Sequence, residues 1–118
     1  MAAGGPDFDV QQKWTDRVAV VSVRGDVDAL TAPQLSDEIL DALSKEPSAL
    51  VVDLPAVDFM ASSGMAVLVS AQERVAPTTQ FAVVADGPGT SRPLKLMGLD
   101  AVIAMYPTLD DALASCTV

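Results

Sequence analysis

Short Val-rich runs alternating with amphipathic segments predict a single α/β domain built on a mixed, mostly parallel β-sheet. Two apolar runs carry that expectation. Ala49 to Leu54 (ALVVDL) and Gln80 to Ala85 (QFAVVA) are continuous rather than alternating, the pattern of strands covered on both faces. Helical-period segments separate the later strands, as right-handed parallel crossovers require. The chain has 118 residues, half of them apolar, enough for one core without a disulfide or metal staple.

Residues 1–6 are small and are expected to form a flexible tail ahead of a domain spanning 7–118. Asp7 to Trp14 reads as an edge strand, and Arg17 to Arg24 (RVAVVSVR) as a buried one stopped by Gly25. These two form an antiparallel hairpin. Thr31 is the expected N-cap of the first helix, with Pro33 in its first turn and Gln34 at the capping-box position. Leu35, Ile39, Ala42 and Leu43 share its inner face, and Pro47 ends it. After the strand at 49–54, Met65, Leu68, Val69, Gln72 and Val75 follow a helical period up to Pro77.

The strand at 80–85 leads to a Gly87-Pro88-Gly89 turn. A short helix from Ser91 to Met97, closed by Gly98, comes next, and then a strand from Val102 to Tyr106. Thr108 caps a last helix that turns Leu109, Ala112 and Leu113 inward and carries Asp110 and Asp111 in its first turn. The expected order is ββαβαβαβα, with about four helices.

Composition narrows the function. Sixteen acidic against seven basic residues give a net charge of −9, a surface that repels nucleic acid and anionic membranes. Histidine is absent, which removes Ser-His triads and most transition-metal sites. Cys116 is the only cysteine and has no internal disulfide partner, so a reducing cytoplasm is the expected compartment. No signal peptide and no run of about 20 apolar residues is evident. Neither a cofactor nor a metal is called for: Gly87-Pro88-Gly89-Thr90 lacks the Lys-Ser/Thr ending of a phosphate loop, and Asp53 with Asp58 is too small a ligand set.

The stretch Phe59-Met60-Ala61-Ser62-Ser63-Gly64 lies between a strand and a helix, at the carboxyl edge of the sheet where open α/β folds place functional groups. Lys13, Lys45 and Lys95 are not placed beside these serines by any motif, so an activated nucleophile is not expected and the protein is not read as an enzyme. On physical grounds alone Ser62 is the N-cap of the second helix, with Gly64 allowing close packing.

That stretch resembles the signature of STAS-domain anti-sigma factor antagonists, in which a strand and an apolar pair precede Asp-Ser-Ser-Gly and a helix. Gly25-Asp26-Val27-Asp28 with Thr31-Ala32 is similar to the family's element before the first helix. Leu96-Met97-Gly98-Leu99, followed by Thr108 and Ala112-Leu113, is similar to its C-terminal element. The resemblance implies a single STAS domain acting as a binding switch. The unmodified antagonist binds an anti-sigma factor and frees its sigma factor. The anti-sigma factor is also a serine kinase of the histidine-kinase-like ATPase fold, and a PP2C-type phosphatase resets the switch.

By position the resemblance makes Ser62 the phosphoacceptor, and Asp28, Met60, Ala61, Ser63, Gly64 and Met65 the partner-binding set. One position departs: the family's usual aspartate before the serines is Ala61 here. That departure keeps a second reading open, a STAS scaffold or accessory subunit of a transport or signalling complex that is not phosphorylated.

Overall fold

A computed structural model describes residues 8–75 and 77–116. The expected tail at 1–6 and the first residue of the expected edge strand, Asp7, lie outside the described residues. Five strands and four helices follow in the expected order: β1 (Asp9–Thr15), β2 (Val18–Val27), α1 (Ala32–Ser44), β3 (Ala49–Met60), α2 (Ser62–Arg74), β4 (Gln80–Val84), α3 (Ser91–Leu96), β5 (Ala104–Tyr106) and α4 (Leu109–Ser115). A 3₁₀ turn, Leu99–Ala101, separates α3 from β5, and the strand that the sequence reads from Val102 begins at Ala104.

The sheet runs β1-β2-β3-β4-β5. β1 pairs antiparallel with β2 through a two-residue turn in which Thr15 faces Val18. Asp16 supplies the left-handed position of that turn, with φ of 54°, a conformation that Asp tolerates better than bulkier residues. The other pairings are parallel.

Strand periodicity divides the core in two. Ala19, Val21, Val23, Leu50, Val52, Leu54, Phe81 and Val83 point to the face packed by Leu35, Ile39 and Ala42 of α1, Leu68 and Ala71 of α2, and Leu94 of α3. Val20, Ala49, Val51, Ala82 and Val84 point to the other face, where Ala112 of α4 and Cys116 cover them. Buried from both sides, β3 and β4 need continuous apolar sequence, which is why those runs are legible. Thr108 caps α4 as expected, its Oγ1 accepting from the Asp111 amide at 3.1 Å.

Candidate functional site

The site is assembled where β2 and β3 outrun the rest of the sheet. β4 accompanies β3 only as far as the Asp53–Val84 pair. Beyond it β3 continues against β2 to the Val27–Met60 pair, across two register shifts. This two-stranded ribbon explains two departures from expectation. Pro55 lies inside a strand because that part of β3 has lost its β4 neighbour, so the missing N–H breaks no ladder on that side. Gly25 does not stop β2; at φ of 96° it sits at the second register shift, a conformation glycine adopts without a Cβ penalty.

At the tip of the ribbon the Ala61 amide donates to the Val27 carbonyl at 2.8 Å. The two motifs, 25–32 and 59–64, thereby lie side by side, each opening a helix.

The start of α1 is tied down by Asp28. Its Oδ1 accepts from the amides of Leu30 at 2.9 Å and Thr31 at 3.1 Å. The Thr31 hydroxyl accepts from the Asp28 amide at 2.9 Å and donates to the Asp26 carbonyl at 2.8 Å. Thr31 precedes α1, but its side chain makes no cap to the helix. The sequence reading of Thr31 as a side-chain cap is therefore corrected: its buried hydroxyl serves the loop, and the Asp28 carboxylate satisfies the loop amides.

The start of α2 is different. Ala61, extended at φ −78° and ψ 170°, occupies the N-cap position, and no side chain caps the helix. Ser62 is thus the first helical residue rather than the cap that local propensity predicts. The Ala61 carbonyl takes the amides of Gly64 at 3.0 Å and Met65 at 3.2 Å. The amides of Ser62 and Ser63 are the ones that a helix's geometry leaves without an intrahelical acceptor. Ser62 is exposed and Ser63 half-buried, and among the described residues neither hydroxyl is engaged by a protein group.

Gly64 is held by packing. A Cβ there would sit 2.6 Å from Cγ1 of Val27 and 3.1 Å from Cγ of Met60, inside van der Waals contact with two fully buried side chains. Met60 itself is 1 % exposed and Leu99 8 %, so neither has side-chain surface to give a partner. Met65 is half-buried. Strand alternation turns Phe59 outward instead, 53 % exposed, and Leu30 beside Asp28 is 66 % exposed. These two apolar residues were missed; the period of two that buries Met60 is the signal that exposes Phe59.

Asp26 and Asp58 are also exposed near the tip. The β4–α3 loop braces the ribbon from the other side: Gly89 packs so closely on the Asp58 carbonyl oxygen that it leaves no space for a Cβ. Gly87-Pro88-Gly89 is thus a packed turn.

Asp53 faces the opposite side of the sheet from α1 and α2. Its Oδ1 is buried without a hydrogen-bond partner. Burial pushes its carboxyl above the usual aspartate value of 3.8, against the opposing effects of Lys13 and a hydrogen bond with Ser22. No group of three or more His, Cys, Asp or Glu that would hold a metal occurs among the described residues. A cavity of about 430 Å³ between Arg17, Ser48 and Arg74 lies at the far end of α2, and neither Ser62 nor Ser63 lines it.

The STAS domain model matches residues 9–112, and the anti-sigma-F factor antagonist RsfB of Mycobacterium tuberculosis is 43 % identical over 96 residues, 81 % of this chain and 79 % of the relative. The chain belongs to the STAS-domain family of anti-sigma factor antagonists. The crystal structure of an anti-sigma factor antagonist from Mycobacterium paratuberculosis is 44 % identical and superposes with a TM-score of 0.90, covering 92 % of this chain and 93 % of that one. SpoIIAA of Bacillus, solved in its phosphorylated form, shares the fold at 17 % identity and a TM-score of 0.69, over 92 % of this chain and 100 % of its own. No helix among the described residues is long and apolar enough to cross a membrane.

Within this STAS domain, Ala61 has a definite structural meaning. It is the N-cap of α2, and that helix start has no side-chain acceptor.

Proposed function

We propose that this STAS domain is a cytoplasmic anti-sigma factor antagonist that binds an anti-sigma factor when unmodified and is switched off by phosphorylation of Ser62. The anti-sigma factor, with serine kinase activity on a histidine-kinase-like ATPase fold, is both the binding partner and the kinase. A PP2C-type phosphatase restores the binding form. Asp28, Ala61, Ser63 and Met65 rim the contact, with Phe59 and Leu30 as its exposed apolar area, while Met60 and Gly64 shape the loop from inside.

The observation that carries this reading is the exposed Ser62 hydroxyl on the first turn of a helix with no side-chain cap. A phosphoryl group adds about −1.5 to −2 charges. The free amides and the positive end of the helix dipole favour an anion there, so the antagonist keeps its fold. The phosphorylated form of SpoIIAA is an instance of this fold carrying the modification. A partner seated over the loop has to desolvate the new charge beside Asp26, Asp28 and Asp58. A penalty of about 2.8 kcal/mol weakens binding about a hundredfold.

Intact-mass measurement after incubation with the cognate anti-sigma factor and ATP tests the assignment. The expected result is one added phosphoryl group on the parent and none on Ser62→Ala, which still binds. Modification of Ser63 instead, or of neither serine, overturns it. Ala61 favours a second reading, a scaffold or accessory subunit that is never phosphorylated, because the carboxylate that kinase recognition would use is missing. An unmodified parent that nevertheless binds supports that alternative.

A further inference from the structure

We infer that the free edge of β1 is a self-pairing surface, on which a second copy of this chain adds antiparallel to make one continuous sheet. β1 ends the sheet, and among the described residues no strand lies beyond it. Its pairing with β2 runs unbroken from Asp9 to Thr15 without a bulge, so the edge is straight and seven residues long.

Exposed edges of this kind are templates for pairing, and natural sequences blunt them with charges such as a central lysine. Lys13 does so here against an arbitrary strand. The same charges become favourable in one arrangement. A two-fold axis normal to the sheet at Gln11 brings identical edges together antiparallel and keeps each face in register. Asp9 then stands opposite Lys13 of the second copy, twice, and Gln11 opposite Gln11. On the α1 face, Val10 meets Gln12, and Phe8 meets Trp14 at both ends.

Opposite-charge and aromatic cross-strand pairs are the stabilising units of an antiparallel sheet. Among the residues of β1, moving the axis by one residue places Asp9 against Gln11 or Lys13 against Gln11, and no two strand charges then meet across the edge. Register is thus specified by the sequence of the edge itself. Trp14 is 39 % exposed in the single chain and gains cover from the pairing. Gln12 is already engaged inward, donating to Glu38 at 2.7 Å and Asp41 at 2.9 Å on α1. The α1 side chains at this margin are therefore bound to β1 and do not fold across its edge.

Sedimentation equilibrium on the full chain over a range of concentrations tests the inference. The parent is expected to form a dimer. Asp9→Lys and Lys13→Asp each place like charges across the edge at two positions and are expected to weaken dimerisation about tenfold or more. Mixing the two single variants restores both charge pairs, so the equimolar mixture is expected to dimerise like the parent.

A parent that stays monomeric to millimolar concentration overturns the inference. Single variants that dimerise as the parent does, or a mixture no tighter than its components, do the same. Lys13 also acts on Asp53, so Lys13→Asp is checked for its fold by circular dichroism. If it unfolds, the series parent, Asp9→Asn, Asp9→Lys replaces it. Dimer affinity must then fall in that order, and any other order contradicts the pairing.

Discussion

The two helices that open at the tip of the β2–β3 ribbon begin in opposite ways. At α1 the loop is closed on itself: Asp28 takes two amides, and Thr31 returns a bond to the strand before it. At α2 the equivalent place holds Ala61, and no side chain caps the helix. One start is satisfied internally and holds the ribbon's shape. The other leaves Ser62 exposed on a helix start that no side chain caps. Because the Ala61–Val27 backbone bond joins them, the rigid start positions the open one.

Changes that disturb the packing beneath both starts should have the largest effect. Gly64→Ala drives a methyl group into Val27 and Met60, and a loss of about 1–3 kcal/mol is expected from overpacking, read by urea denaturation. An unchanged midpoint would mean that the ribbon tip yields more easily than its burial implies. Asp28→Ala removes the acceptor of two loop amides. It is expected to cost about 1 kcal/mol, by analogy with the loss of a helix cap, and to loosen α1 in hydrogen exchange at Leu30 and Thr31.

Filling the open start should go the other way. Ala61→Asp supplies the missing cap and is expected to stabilise the fold by about 1 kcal/mol. The same carboxylate would compete with a phosphate for the first-turn amides, so a gain in stability with no change in the rate of Ser62 phosphorylation would separate the two roles.

The smallest effect belongs to Asp53, remote from both starts. Its raised folded-state pKa means that ionisation is penalised in the native state. That penalty is absent at pH well below 3.8. It develops as pH rises through the unfolded value and is complete above the folded one. Asp53→Asn is therefore expected to raise the melting temperature modestly at neutral pH, with the gain fading in acid. A gain of equal size at all pH values would assign the effect to packing instead.

Much of this architecture is legible in the chain, because apolar continuity marks β3 and β4, and Thr108 with Asp110 and Asp111 marks α4. The ribbon is not. Gly25 reads as a strand breaker and the run from Ala49 as ending at Leu54, and only the pairing shows that Pro55 lies where a ladder is already lost and Gly25 at a register shift. The serine loop is legible from its motif, yet its helix cap falls one residue earlier than local propensity reads it. Local propensity gives the cap to Ser62, whereas the hydrogen bond from Ala61 to Val27 sets the helix start one position earlier. Asp28 read as a recognition residue shows a structural task as well, visible only once the loop closes on it.

The central claim, that the open start of α2 is a phosphate-controlled docking surface, is tested most directly by calorimetry. The affinity of the cognate anti-sigma factor would be measured for the unmodified chain and for the chain phosphorylated at Ser62. The account expects binding about a hundredfold weaker for the phosphorylated form, with an unchanged circular dichroism spectrum. Equal affinities for the two forms would contradict it.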